Sequence, residues 1–134
     1  MNCVLLATDA DWLFNEVDAA LADDETKVYR VASGRLVLPA VHELNPDLVI
    51  LDLQIGNLGG VATSLALRQE QEMGRVPDQR IIMLLDRQAD VFMAQMARAD
   101  GWLIKPINSL RLQRAANAVL ADKEYFEGML EATS

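Results

Sequence analysis

The run Leu48-Val49-Ile50-Leu51, closed by Asp47 on one side and Asp52 on the other, constrains this chain more than any other feature. It is short, continuously apolar and without alternation, so neither face of the segment is solvated. Such a run belongs to a strand inside a sheet that is covered on both sides. Similar runs recur at residues 3–7 and 81–85, and a shorter one at 102–104, while residues 27–32 alternate as an edge strand does. Between the runs the apolar residues take helical spacing. Trp12, Leu13, Val17, Ala20 and Leu21 mark a first helix; residues 35–44 and 61–73 predict two more. Val91, Phe92, Met93 and Met96 mark a helix over 89–98, in which Met93 and Met96 are read as core. Leu110, Leu112, Ala115, Ala116, Val119 and Leu120 give the last helix its apolar face, with Asn108 or Ser109 as its cap. Five β-then-α units predict an α/β domain with a parallel sheet between two layers of helix.

Composition narrows the function. At 134 residues and 51% apolar, the chain suits one folded domain rather than a disordered segment. Twelve basic against 20 acidic residues leave a net charge of −8. That charge gives no electrostatic reason to bind nucleic acid directly or to sit on an anionic membrane. No run approaches a membrane span, and residues 1–7 lack the basic region of a signal peptide, so a cytoplasmic location is expected. One cysteine, Cys3, excludes an internal disulfide, and one histidine, His42, excludes a two-imidazole site. Cys3 is expected to be a buried small apolar residue and His42 a surface helix residue.

Ligands of open parallel sheets bind beyond the carboxyl ends of the strands. The residues there are Thr8, Asp9, Asp52, Leu85, Asp86 and Lys105. Asp9 can cap the first helix or hold a metal; Asp86 can cap the fourth helix or stand at a pocket rim. Asp52 follows the third strand and is trailed by a loop with three glycines, Gly56, Gly59 and Gly60; Lys105-Pro106 follows the fifth strand.

Strand ends of this kind, in this order, resemble the receiver domains of two-component response regulators over nearly the whole chain, to about residue 120. The resemblance implies a flavodoxin-like sheet of five parallel strands, order 2-1-3-4-5, flanked by five helices. It implies Asp52 as the phosphoacceptor and Lys105 as the residue that pairs with phosphoryl oxygens, its peptide to Pro106 being cis. It implies a weakly held Mg2+ on Asp9, Asp52 and the backbone carbonyl of Gln54, and switch positions at Leu85 and Trp102. Two departures accompany it. Thr8 stands where the acidic pair has its first member, if Asp9 is the retained acid; that register puts Trp12, Leu13, Val17, Ala20 and Leu21 on buried helix positions. Leu85 stands where the family has Thr or Ser, and Met83, Leu84 and Asp86 also lack a hydroxyl. The phosphorylation switch is therefore expected to be degraded or absent.

The remaining residues, 121–134, are expected to extend the last helix as a tail. Tyr125, Phe126, Met129 and Leu130 would then form an exposed apolar cluster suited to docking. The expectation is a stand-alone, non-enzymatic receiver acting by contact with a protein partner, with a homodimer possible. Two alternatives accompany it: a phosphorelay regulator modified at Asp52 by a histidine kinase, and an accessory docked on a larger assembly such as respiratory NADH dehydrogenase.

Overall fold

The apolar segment after Asp47 forms a strand buried along its whole length, and the rest of the chain is arranged around it. The computed structural model describes residues 2–56 and 59–128. In chain order the elements are β1 (Asn2–Ala7), α1 (Asp11–Leu21), β2 (Thr26–Val31), α2 (Val37–Leu44), β3 (Leu48–Asp52) and α3 (Gly60–Glu72). They continue with β4 (Ile81–Leu85), α4 (Val91–Met96), β5 (Gly101–Ile104), α5 (Ser109–Leu120) and β6 (Tyr125–Phe126). All paired strands are parallel, in the order β2-β1-β3-β4-β5-β6.

Period-2 side-chain direction divides the strands between two cores. Leu5, Val49, Leu51, Ile81, Met83 and Leu85 face α2, α3 and α4, meeting Val37, Val41, Leu67 and Ala94. Val4, Leu6, Leu48, Ile50, Ile82, Leu84 and Leu103 face α1 and α5, meeting Leu13, Val17, Leu112, Ala115 and Val119. Each such side chain contributes about 1.5–3 kcal/mol by leaving water. The apolar strands thus hold the sheet rigid and leave the first polar residue after each strand at one shared edge.

Local chemistry accounts for the helix boundaries. Pro39 lies in the first turn of α2, where a missing N–H costs no helical bond. Asn45, in the left-handed region at φ 47°, closes that helix by donating its N–H to Val41 O at 2.9 Å. Asn108 caps α5, its Oδ1 accepting the Arg111 N–H at 2.9 Å. At the opposite end of the sheet from the strand carboxyl ends, the buried Arg68 ties helix to strand. It donates to Arg98 O and Gln79 O and pairs with Asp100 at 2.9 Å, and Asp100 accepts the Ile81 N–H at 2.8 Å.

The structure corrects several expectations. The sheet has six strands, not five. The segment after residue 120 does not extend the last helix: α5 ends at Leu120, Ala121 and Asp122 turn, and the chain runs back along β5 as β6. The driving force is the open edge of β5, whose unpaired backbone groups a short strand satisfies. Tyr125 and Phe126 are accordingly half-buried rather than an exposed cluster, and Met129 and Leu130 lie outside the described residues. Trp12 is 52% exposed, so of the expected α1 face only Leu13, Val17 and Ala20 are buried. In the short α4, Phe92 and Met96 point outward at 66% and 53% exposure, and Ala94 faces the core. Cys3 is half-buried and His42 is exposed.

Candidate functional site at the strand ends

The carboxyl ends of β1, β3, β4 and β5 bring Thr8, Asp52, Asp86 and Lys105 into one hydrogen-bonded group. Each is there because its strand is apolar up to that point and cannot carry a polar residue further in. Asp52 ends β3 and is 3% exposed. Lys105 Nζ donates to Asp52 Oδ1 at 2.7 Å. The Thr8 hydroxyl, fully buried, donates to Asp52 Oδ2 at 2.8 Å, and the Gln54 N–H donates to Oδ1 at 3.2 Å. A carboxylate this deep is tolerated because both of its oxygens have donors. The Lys105–Pro106 peptide is cis, as the resemblance implied.

Of the two places left open for Asp86, helix cap or pocket rim, the structure takes the rim. Its carboxylate does not cap the fourth helix; in the turn before α4 it is Asp90 that accepts the Asp86 and Arg87 N–H groups, at 3.3 and 3.0 Å. Asp86 instead accepts from Lys105 Nζ at 2.9 Å. Two carboxylates therefore share one ammonium. Burial pushes the Lys105 ammonium toward deprotonation, but its bonds to Asp52 and Asp86 outweigh this and hold it above the usual lysine value. Burial would likewise raise the Asp86 carboxyl; the bonds from Lys105 and Gln54 reverse the sign and hold it below the usual aspartate value.

Of the five α1 residues on which the Thr8 register rests, Leu13, Val17 and Ala20 are buried, Leu21 is half-buried and Trp12 is exposed. Thr8 Oγ1 also accepts the Ala10 N–H at 3.1 Å, a local bond in the turn entering α1 that no acidic cap makes. Arg30, from β2, donates through Nε to Thr8 O at 3.0 Å and pairs with Asp11, fixing that turn from outside. Asp9 is exposed at the mouth. Asp9, Asp52 and the Gln54 carbonyl are the oxygens the resemblance offers a divalent cation, a set reduced in charge because Thr8 supplies a hydroxyl where a carboxylate would stand. Among the described residues no group of three or more His, Cys, Asp and Glu converges.

Leu85 is fully buried in the core on the α3 and α4 side and offers nothing polar to the site. Trp102 is 2% exposed, stacked on Phe126 with ring centroids 4.1 Å apart. Its Nε1–H donates to Glu127 O at 2.9 Å. The expected switch aromatic is thus enclosed by the chain's own β6. Arg30, Arg111 and Glu127, all close to this edge, carried no signal in the sequence, because their partners are distant in the chain.

A family model described as the response regulator receiver domain matches residues 4–117. The nitrate/nitrite response regulator protein NarL of Escherichia coli is 28% identical over 102 residues, covering 76% of this chain and 46% of NarL. The DNA-binding response regulator MtrA of Mycobacterium tuberculosis is 33% identical over 113 residues, covering 77% of this chain and 47% of MtrA. The crystal structure of the chemotaxis response regulator CheY4 of Vibrio cholerae superposes with a TM-score of 0.77 at 25% identity, over 89% of this chain and 98% of that one. This chain spans about half the length of the curated relatives it matches. The relatives correct the expected partners. A chain whose relatives include a protein named as a DNA-binding response regulator cannot be set apart from nucleic acid on the charge of its receiver segment. That charge describes these residues and not the remainder of such proteins. Among the described residues no helix is long and apolar enough to cross a membrane.

Proposed function

This chain belongs to the response-regulator receiver family, and on that premise we propose that Asp52 accepts a phosphoryl group whose arrival is not converted into the family's usual loop movement. The observation that carries this is the end of β4. Leu85, fully buried, stands where a hydroxyl would bond the phosphoryl group, and the next residue, Asp86, already occupies Lys105. In the reaction an Asp52 oxygen attacks phosphorus, the bond from phosphorus to its leaving group breaks, and the leaving group departs with that electron pair. Lys105 then transfers its contact from the Asp52 carboxylate to a phosphoryl oxygen. Asp9, Asp52 and the Gln54 carbonyl would hold a Mg2+, which would neutralise phosphoryl charge. With a hydroxyl in place of a carboxylate at Thr8, that hold would be weak. A ligand shifts a conformational equilibrium only as far as it interacts differently with the two states. Leu85 has no donor with which to make that difference. The proposed chemistry ends at modification of Asp52 and includes no turnover of a separate substrate. Its setting in this proposal is the cytosol, which the free thiol of Cys3 suits.

The test is incubation with phosphoramidate and magnesium, read by intact mass, together with amide NMR in the presence of a beryllofluoride mimic. Wild type should gain one phosphoryl group and Asp52→Asn none. Amide shifts should stay around Asp52, Asp86 and Lys105. Failure of wild type to take up phosphoryl removes the acceptor role. Shifts that spread through Leu85 to Trp102 remove the degraded switch.

A further inference from the structure

One guanidinium grips the backbone on both sides of Lys105. Arg111 Nη2 donates to Ile104 O at 2.9 Å, and Nη1 donates to Pro106 O at 2.7 Å. The same group is forked onto Glu127, with Nε donating to Oε2 at 2.8 Å and Nη2 donating to Oε1. Glu127 Oε1 also accepts the Ile104 N–H at 3.0 Å, and the Tyr125 hydroxyl reaches Oε2 at 3.2 Å. A closed ring of charge-assisted bonds therefore surrounds the turn from β5 into α5, the turn that presents Lys105 to Asp52.

Glu127 is delivered by a segment built for this edge. Phe126 stacks on Trp102, and Gln88 Nε2 donates to Gly128 O at 2.9 Å. At Gly101 a Cβ would meet Tyr125 O at 2.9 Å. At Gly128, with φ at 72°, a Cβ would meet Ile104 Cδ1 at 2.5 Å. Gly101 stands where β5 and the strap formed by residues 121–128 approach too closely for a side chain, whereas Gly128 takes a left-handed backbone that side chains rarely adopt.

We propose, resting on the acceptor role given to Asp52 above, that Arg111 and Glu127 are positioning residues that aim Lys105 at Asp52. A lysine is a point charge on a flexible stem, and its own side chain does little to fix its direction. What fixes it here is the backbone from Ile104 to Pro106, and that backbone is held by the Arg111–Glu127 pair. Residues 121–128 thereby become part of the phosphoacceptor site without touching the phosphoryl group.

The experiment reads Lys105 without using phosphorylation. A brief pulse of acetic anhydride on the full chain, followed by peptide mass spectrometry, gives acylation of Lys105 relative to the exposed Lys27. In wild type Lys105, bonded to two carboxylates, should react far more slowly than Lys27. Glu127→Gln, nearly isosteric, should raise the Lys105-to-Lys27 ratio by roughly tenfold, the size expected for loss of a charge-assisted bond. Arg111→Gln should do the same, and Arg111→Lys should restore part of the protection. Arg68→Met, which loosens the opposite end of the sheet, should leave the ratio unchanged. An unchanged ratio in Glu127→Gln and Arg111→Gln overturns the proposal, as does an equal rise in Arg68→Met. Phosphoryl uptake by the same variants should slow in step with the ratio. Slowed uptake with Lys105 still protected also overturns it. If wild type takes up no phosphoryl group at all, the acceptor reading fails while the acylation ratios still decide the role of the pair.

Discussion

Asp86 and Lys105 form a 2.9 Å ion pair across the ends of β4 and β5, and the same ammonium reaches Asp52 at 2.7 Å. Under the acceptor role proposed for Asp52, an incoming phosphoryl group would compete with a carboxylate that is already in place and carries the same sign of charge. Neither side chain is fully exposed, so solvent screens the pair less than it would screen one on the open surface.

Asp86→Ala should release Lys105 from this competition and remove one like charge from the pocket mouth. Affinity for a beryllofluoride mimic, measured by calorimetry, should tighten severalfold, by the order of 1 kcal/mol for one ion pair of this kind. Unchanged or weaker binding would show that Asp86 supports the site instead of blocking it.

Thr8→Asp places a second carboxylate against Asp52 and removes the hydroxyl that donates to it at 2.8 Å. Without magnesium the variant should lose about 1–3 kcal/mol, from the lost bond and from like-charge repulsion. With millimolar magnesium the loss should be recovered, and the ion should bind roughly tenfold more tightly than in wild type. Thermal denaturation with and without the ion reads both effects. A melting temperature indifferent to magnesium would mean the oxygens do not converge.

Leu85→Thr replaces a fully buried core side chain with one that carries a hydroxyl. The loss of packing and the buried hydroxyl should cost about 2–4 kcal/mol. In return, a phosphoryl mimic should produce amide shifts that extend beyond Asp86 through Arg87 to Trp102, where wild type should show none. Shifts that remain local would mean that more than a hydroxyl separates this protein from a switching receiver.

The strap should respond to acid. Burial would raise the Glu127 carboxyl, but Arg111 and the Ile104 N–H outweigh burial and hold it below the ordinary glutamate value. Its folded pKa is therefore lower than its unfolded one, so the unfolded chain binds the proton first. The stability it contributes is present above the unfolded value of about 4.3 and is lost as pH falls through the lower folded value. Trp102 fluorescence, in a Trp12→Phe background, should change over that acid range, and Glu127→Gln should abolish the transition. Lys105 has the opposite sign. Its raised pKa keeps its contribution intact until pH climbs above the ordinary lysine value of about 10.4 and then through the folded one.

The strand ends were legible from residues alone because they are a local property. A strand buried on both faces must be apolar until it leaves the sheet, so the first polar residue marks its end. Asp52 after Leu48-Val49-Ile50-Leu51 and Lys105 after Trp102-Leu103-Ile104 are located in this way. The absence of a hydroxyl at Leu85 was equally plain, since no neighbour from Met83 to Asp86 could supply one. Helix faces were less secure. An apolar residue at helical spacing can face solvent where the layer ends, as Trp12, Phe92 and Met96 do.

The sequence by itself determined which residues close each strand, and so which side chains gather at one edge of the sheet. Tertiary structure alone decided which of them bond. Asp86 could have capped α4, but its carboxylate bonds Lys105, while Asp90 accepts the Asp86 and Arg87 N–H groups in the turn before that helix. The fate of residues 121–128 was decided in the same way. Tyr125-Phe126 is too short to carry a strand period, and in isolation it continues a helical pattern equally well. What draws it into the sheet is the unpaired edge of β5, the Trp102 ring beside that edge, and Arg111 waiting for a carboxylate. Those three partners lie from 16 to 25 residues away in the chain, so no local propensity could register them.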